Sequence, residues 1–76
     1  MKELVEYIVK SLVIDENAVS VTETEENDEL VIRVSVAEDD MGRVIGKGGK
    51  VASSIRAIIK SISARAGKKV YVKFGE

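Results

Sequence analysis

Cysteine, histidine, proline and tryptophan are all missing from the 76-residue sequence. Without sulfur or imidazole there is no disulfide, no thiolate nucleophile, no Ser-His or Cys-His pair and no zinc site built on those donors. These absences favour a cytoplasmic setting and disfavour an enzyme. Aromatic residues are scarce, only Tyr7, Tyr71 and Phe74, too few for a surface that holds nucleic acid by stacking bases. No apolar run exceeds three residues, as in Leu12-Val13-Ile14. A spanning helix needs about 20 and a signal-peptide core about 7 to 15, so neither export nor membrane anchoring is expected. No linker, low-complexity tract or long-period repeat marks a boundary, and residues 1–76 are expected to form a single domain.

With 45% hydrophobic and 33% charged residues, the chain has the composition of an ordinary globular domain. Its net charge of −1 conceals a division. Residues 1–40 carry three basic side chains against twelve acidic ones, and residues 41–76 carry nine basic ones against Glu76 alone. Such a split suits a protein with one face for a polyanion, and equally one whose two halves attract each other on folding.

Periodicity predicts the elements. Leu4, Ile8 and Leu12, flanked by Val5, Val9 and Val13, define a helix from Lys2 to Val13 with one broad apolar stripe. Val19 and Val21, and then Leu30, Ile32, Val34 and Val36, alternate as strands around the turn formers Glu25-Glu26-Asn27-Asp28, which reads as an antiparallel hairpin. Asp39 or Asp40 is placed to cap a short helix from Met41 to Ile45. Val51, Ile55, Ile58, Ile59, Ile62 and Ala66 trace the apolar face of a second long helix, with Lys50, Ser53, Ser54, Arg56, Lys60 and Arg65 off that face and Gly67 as its stop. Val70, Val72 and Phe74 alternate with Tyr71 and Lys73 as a last strand. The expected fold class is α+β, a two-layer structure with a three-stranded sheet and helices on one face, in the order α-β-β-α-α-β.

Between the two later helices stands Gly46-Lys47-Gly48-Gly49. The glycines permit a sharp turn and a close backbone approach, and the following helix brings free amides and a positive dipole end to the same point. Lys47, Lys50 and Arg43 add formal charge, so a phosphate is the natural guest. The spacing rules out two other phosphate loops. Gly42 and Gly46 enclose three residues where a Walker loop has four, and Val51 stands where a dinucleotide-binding motif needs its third glycine.

The string Gly42-Arg43-Val44-Ile45-Gly46-Lys47-Gly48-Gly49-Lys50 resembles the GxxG core of a KH domain, and the element order resembles the type II form of that fold. The resemblance covers the whole chain and extends to the KhpA-type family of small bacterial proteins that consist of little more than one KH domain. It implies a non-catalytic protein that clamps single-stranded RNA at the glycine tip, with bases against an apolar groove. Carried onto this sequence, the RNA-binding residues are Arg43, Ile45, Gly46, Lys47, Gly48, Gly49, Lys50, Val51, Ser53 and Ser54. Ile55, with Val34 or Val36 on an opposing strand, would complete the groove floor, although Ile55 also suits plain core. One of Arg43 or Arg56 is expected to join Lys47 and Lys50 in neutralising phosphates.

The resemblance further implies post-transcriptional regulation or RNA chaperoning in the cytoplasm, as a homodimer or as a heterodimer with a larger KH-containing protein of the KhpB type. No cofactor, metal or catalytic residue is expected. Asp39 and Asp40 read as caps, and Ser53 and Ser54 have no base to activate them. A protein-interaction or assembly module on the same scaffold is the alternative reading, with Tyr71 and Lys73 on the outer sheet face as candidate partner contacts.

Overall fold

The computed structural model describes residues 1–75 apart from the Lys47 side chain. Its elements are α1 (Lys2–Leu12), β1 (Ser20–Glu26), β2 (Glu29–Ser35), α2 (Met41–Ile45), α3 (Lys50–Arg65) and β3 (Lys69–Phe74), with short 3-10 turns at Glu16–Ala18, Glu38–Asp40 and Lys47–Gly49. The expected order α-β-β-α-α-β is the observed one. The sheet order is β1-β2-β3, antiparallel between β1 and β2 and parallel between β2 and β3.

The hairpin turns on two residues. Asn27 and Asp28 have φ of 52° and 65°, the pair of left-handed conformations a type I′ turn requires, adopted by the residue types that, after glycine, tolerate them best. Register alternation then directs Val21, Ile32, Val34 and Val72 to the helix side, where they join Val5 and Val9 of α1, Val44 of α2, and Ile55 and Ile59 of α3. All nine residues of this core are valine or isoleucine. Branching at Cβ limits their rotamers, so a small core is held in few arrangements. Val31 lies on the other face of the sheet yet is only 6% exposed. Thr24 and Tyr71 flank it in register, and the Arg33–Glu26 ion pair at 3.5 Å bridges across its row.

Both long helices are rotated from the faces their periodicity predicts. In α1 the buried pair is Val5 and Val9, while Leu4 and Leu12 are more than a third exposed. In α3 the buried residues are Ala52, Ile55, Ile59 and Ser63, while Ile58 and Ile62 are 48% and 40% exposed and Ala66 is exposed. Where two apolar rows lie side by side, periodicity locates the stripe but not the row that meets the sheet. In α3 the small residues Ala52 and Ser63 bracket the row that packs closest. Ser63 is admitted because its hydroxyl donates to its own helix at Lys60 O (3.1 Å), leaving no unsatisfied group.

The end of α3 is as expected. Gly67 takes φ of 72°, and Lys68 N–H donates to Ser63 O (3.0 Å) while Gly67 N–H donates to Ala64 O (3.2 Å). This is the paired bonding of a Schellman motif, which returns the chain directly into β3.

Candidate functional site

The short helix α2 ends where Gly46 N–H donates to Gly42 O (2.8 Å). Gly46 then takes φ 73° and ψ −178°, a combination essentially confined to glycine. Sterics impose the same requirement, because a Cβ on Gly46 would lie 2.8 Å from Val51 Cβ and overlap Val51 Cγ2. Gly48 and Gly49 also have positive φ, 62° and 79°, but open space where a Cβ would be. Thus Gly46 is fixed by packing and by backbone, and the other two by backbone alone. Gly49 N–H closes the tip on Gly46 O (3.3 Å).

Helix α3 begins directly after this turn, with no side-chain cap among the described residues. The amides of its first turn have no partner within the helix and the dipole is positive there. Lys50 and Ser53 are exposed on the first turns. Ser54 is exposed as well, but its hydroxyl donates to Lys50 O (2.9 Å). Ile45 is 37% exposed beside the tip, and Val51 is half-buried under Gly46. The fold therefore brings Ile45, Gly46, Gly48, Gly49, Lys50 and Val51 together, with the backbone of Lys47 among them. The side chain of Lys47 lies outside the described residues.

Arg43 and Arg56, of which one was expected to join Lys47 and Lys50 at phosphate, each make a contact within the protein, although the Arg43 side chain stays 53% exposed. Arg43 Nε lies 3.2 Å from Asp40 Oδ1. Arg56 Nε donates to Val72 O (3.1 Å), and its guanidinium sits 5.4 Å from the centroid of the Phe74 ring.

Asp40 is not the side-chain cap that its position suggests, and Asp39 is exposed. The preceding 3-10 turn already takes the local amides, with Asp40 N–H on Ala37 O (2.8 Å). The Asp40 carboxylate is 2% exposed and reaches across the fold instead. It accepts from Ile14 N–H (3.1 Å) and Asp15 N–H (3.0 Å) at the exit of α1. The amide of Asp15 and then that of Ile14 hold the Asp40 carboxyl below its ordinary range, with Arg43 adding to the effect and burial opposing it. Asp40 thereby ties the root of the glycine tip to α1, a role no local pattern announces.

The expected groove floor also moves. Val34 and Ile55 are 1% and 3% exposed and belong to the core, and Val36 is a half-buried residue packed against it. Strand β2 is central, bonded on both edges, so it offers no groove. The edge strands are β1 and β3, and β3 runs beside α3. Between them lies a groove of about 770 Å³ whose lining includes Arg56, Lys60, Lys68, Lys69 and Lys73. The signal for it in the sequence is the surplus of positive charge after residue 41, more than the tip can use.

This architecture, two helices joined by a glycine tip and inserted between parallel strands, defines a KH domain. A family model described as KhpA/KhpB, KH domain, matches residues 2–74. The chain is 42% identical over 73 residues to the RNA-binding protein KhpA of Clostridium perfringens, covering 96% of this chain and 97% of that one. It is 38% identical over 76 residues to the RNA-binding protein KhpA of Listeria monocytogenes, with both chains covered in full. For the RNA-binding protein KhpA of Aquifex aeolicus the identity is 37% over 76 residues, all of this chain and 96% of that one. No solved structure matches at a significant level. The chain belongs to the KhpA/KhpB KH-domain family.

Proposed function

We propose that this protein is a non-catalytic binder of single-stranded RNA that grips the RNA backbone at Gly46–Gly49 and the N-terminus of α3. The observation that carries this reading is the tip itself. Three left-handed glycines remove side-chain bulk where α3 presents unpartnered amides, beside Lys50. A chain of phosphates can approach the backbone there. The relatives' name as RNA-binding proteins supports the same reading.

Gly46, Gly48 and Gly49 shape the clamp, Lys47 and Lys50 supply charge, and Ile45, Val51 and Ser53 border the strand. Counting Lys47 and Lys50 alone, about two phosphates are neutralised at the tip. The slope of log K against log salt is then about −1.4.

The test is a fluorescence-anisotropy titration of short single-stranded RNAs on the protein and on Gly48→Asp, with circular dichroism confirming that both fold. Aspartate tolerates the left-handed conformation at this position and puts a negative charge into the clamp. At least a tenfold loss of affinity is expected, and equal binding by both proteins refutes the reading.

The cytoplasm as its setting and a regulatory or chaperoning role are part of the same proposal, as is pairing with a second copy or a larger KhpB-type protein. The exposed Ile58 and Ile62 on α3 favour such a protein contact. Sedimentation of an Ile58→Lys/Ile62→Lys variant checks it, with a lighter species expected.

A further inference from the structure

Helix α2 is the weaker of the two supports of the tip. It has five residues, Met41–Ile45, with Gly42 among them and no side-chain cap at its start. An isolated helix is marginal in water below about 12 to 15 residues, so α2 keeps its place through tertiary contacts. Val44 is its one buried residue. On the far side of the tip, Val51 packs under Gly46 and joins the turn to α3. At the start of α2 the corresponding attachment is Asp40.

The Asp40 carboxylate is 2% exposed. Its Oδ1 accepts from Ile14 N–H (3.1 Å) and lies 3.2 Å from Arg43 Nε, while its Oδ2 accepts from Asp15 N–H (3.0 Å). All three partners are donors, a set that an ionised carboxylate satisfies together. An asparagine of the same shape has a single acceptor. Turned one way it loses Asp15, turned the other it loses Ile14 and Arg43, and its amino group then faces a donor. The contacts join the exit of α1 to the start of α2, less than two helical turns before Gly46. They lie away from the RNA side, because Arg43 and Ile45 stand about 200° apart around α2, and Ile45 is the one beside the tip.

We infer that Asp40 is a positioning residue of the RNA clamp: by holding the start of α2 to the exit of α1 it keeps Gly46–Gly49 in the arrangement that receives phosphate, without touching RNA itself. This rests on the RNA-clamp reading and adds the backbone of Ile14 and Asp15 to the supports of the site. Charge alone has the opposite effect. A carboxylate near a phosphate site repels the strand, so neutralising it tightens binding. Losing the attachment loosens binding, since the RNA must then order a wandering tip.

The test is anisotropy with short single-stranded RNA over a range of salt, on the protein, on Asp40→Asn, on Gly48→Asp and on the double variant, with circular dichroism confirming that each is folded. Asp40→Asn is expected to bind about three- to tenfold more weakly than the parent, with its salt slope unchanged at about −1.4 because the same phosphates are met. A carboxylate that served stability alone would leave the affinity of the folded protein unchanged. In the Gly48→Asp background the further loss is expected to be under about twofold, because both changes act on one tip. Should Asp40→Asn not fold, hydrogen exchange on the parent decides. RNA at about twenty times Kd is expected to slow the Ile14 and Asp15 amides about tenfold or more.

Equal or tighter binding by folded Asp40→Asn, while Gly48→Asp binds weakly, overturns the positioning role and leaves the clamp standing. Full additivity of the two losses overturns it as well, since the carboxylate then acts elsewhere than on the tip. Ile14 and Asp15 amides that exchange at the same rate with and without RNA have the same consequence. RNA binding untouched by Gly48→Asp overturns the clamp itself and the inference with it.

Discussion

Val51 occupies the space that a side chain on Gly46 would need, so the first residue of the tip and the second residue of α3 are packed as one unit. The clamp is thus part of the framework at one end and free only at Gly48 and Gly49.

Replacing Gly46 by alanine should therefore cost more than the same change at Gly48. The first combines overlap with Val51 and a backbone conformation worth ~1–3 kcal/mol of strain, and the second a single left-handed residue at ~1–2 kcal/mol. Urea unfolding of the two variants gives the order. Adding Val51→Ala to Gly46→Ala should recover only part of the loss, because the backbone strain remains.

Asp40 makes stability depend on acid. Its folded-state carboxyl titrates below the ordinary value of 3.8, so its contribution is complete above that pH and is lost as the pH falls through the lower, folded-state value. Asp40→Asn should be less stable than the parent at pH 7, by thermal melting, and the gap should narrow progressively below about pH 4. A gap that stays constant down to pH 2 would mean that the carboxylate's charge is irrelevant.

On α3 the observed face differs from the one expected by periodicity, and neighbouring isoleucines separate the two. Ile59→Ala empties a fully buried site and should cost ~2–5 kcal/mol. Ile62→Ala should cost under ~1 kcal/mol. Comparable losses at both positions would restore the broader face.

The hairpin turn leaves room for improvement. Asp28 holds φ of 65° at the second turn position, where glycine is favoured in a type I′ turn. Asp28→Gly should raise stability by about 0.5–1 kcal/mol, read from the urea midpoint.

What was legible in the sequence follows from how local each feature is. Strands with period two, the Asn27-Asp28 turn, the Gly67 stop and the Gly46–Gly49 tip all depend on residues within a few positions of one another, and the fold has them where expected. The misreadings share the opposite property. Asp40 finds its donors at Ile14 and Asp15, about 25 residues earlier in the chain, while adjacency to a helix start suggested a cap. Val34 or Val36 was expected on the groove floor from the resemblance alone, but the parallel return of β3 encloses β2, and Val34 is buried in the core. Arg56 lies off the apolar face as expected, yet its partners, Val72 and Phe74, come from that same returning strand.

The hairpin turn, with Glu26, Asp28 and Glu29, stands at the opposite end of the sheet from the glycine tip, which sits where β2 and β3 finish. The molecule measures 35 × 21 × 18 Å, and lysines stand at both ends of the sheet, Lys50 beside the tip and Lys69 in register with Glu29 beside the turn. A polyanion is thus drawn to either end, and at the turn it also meets carboxylates. Salt should then slow the encounter itself as well as loosen the complex, with the association rate falling as the attraction is screened over about 10 Å at 0.1 M ionic strength.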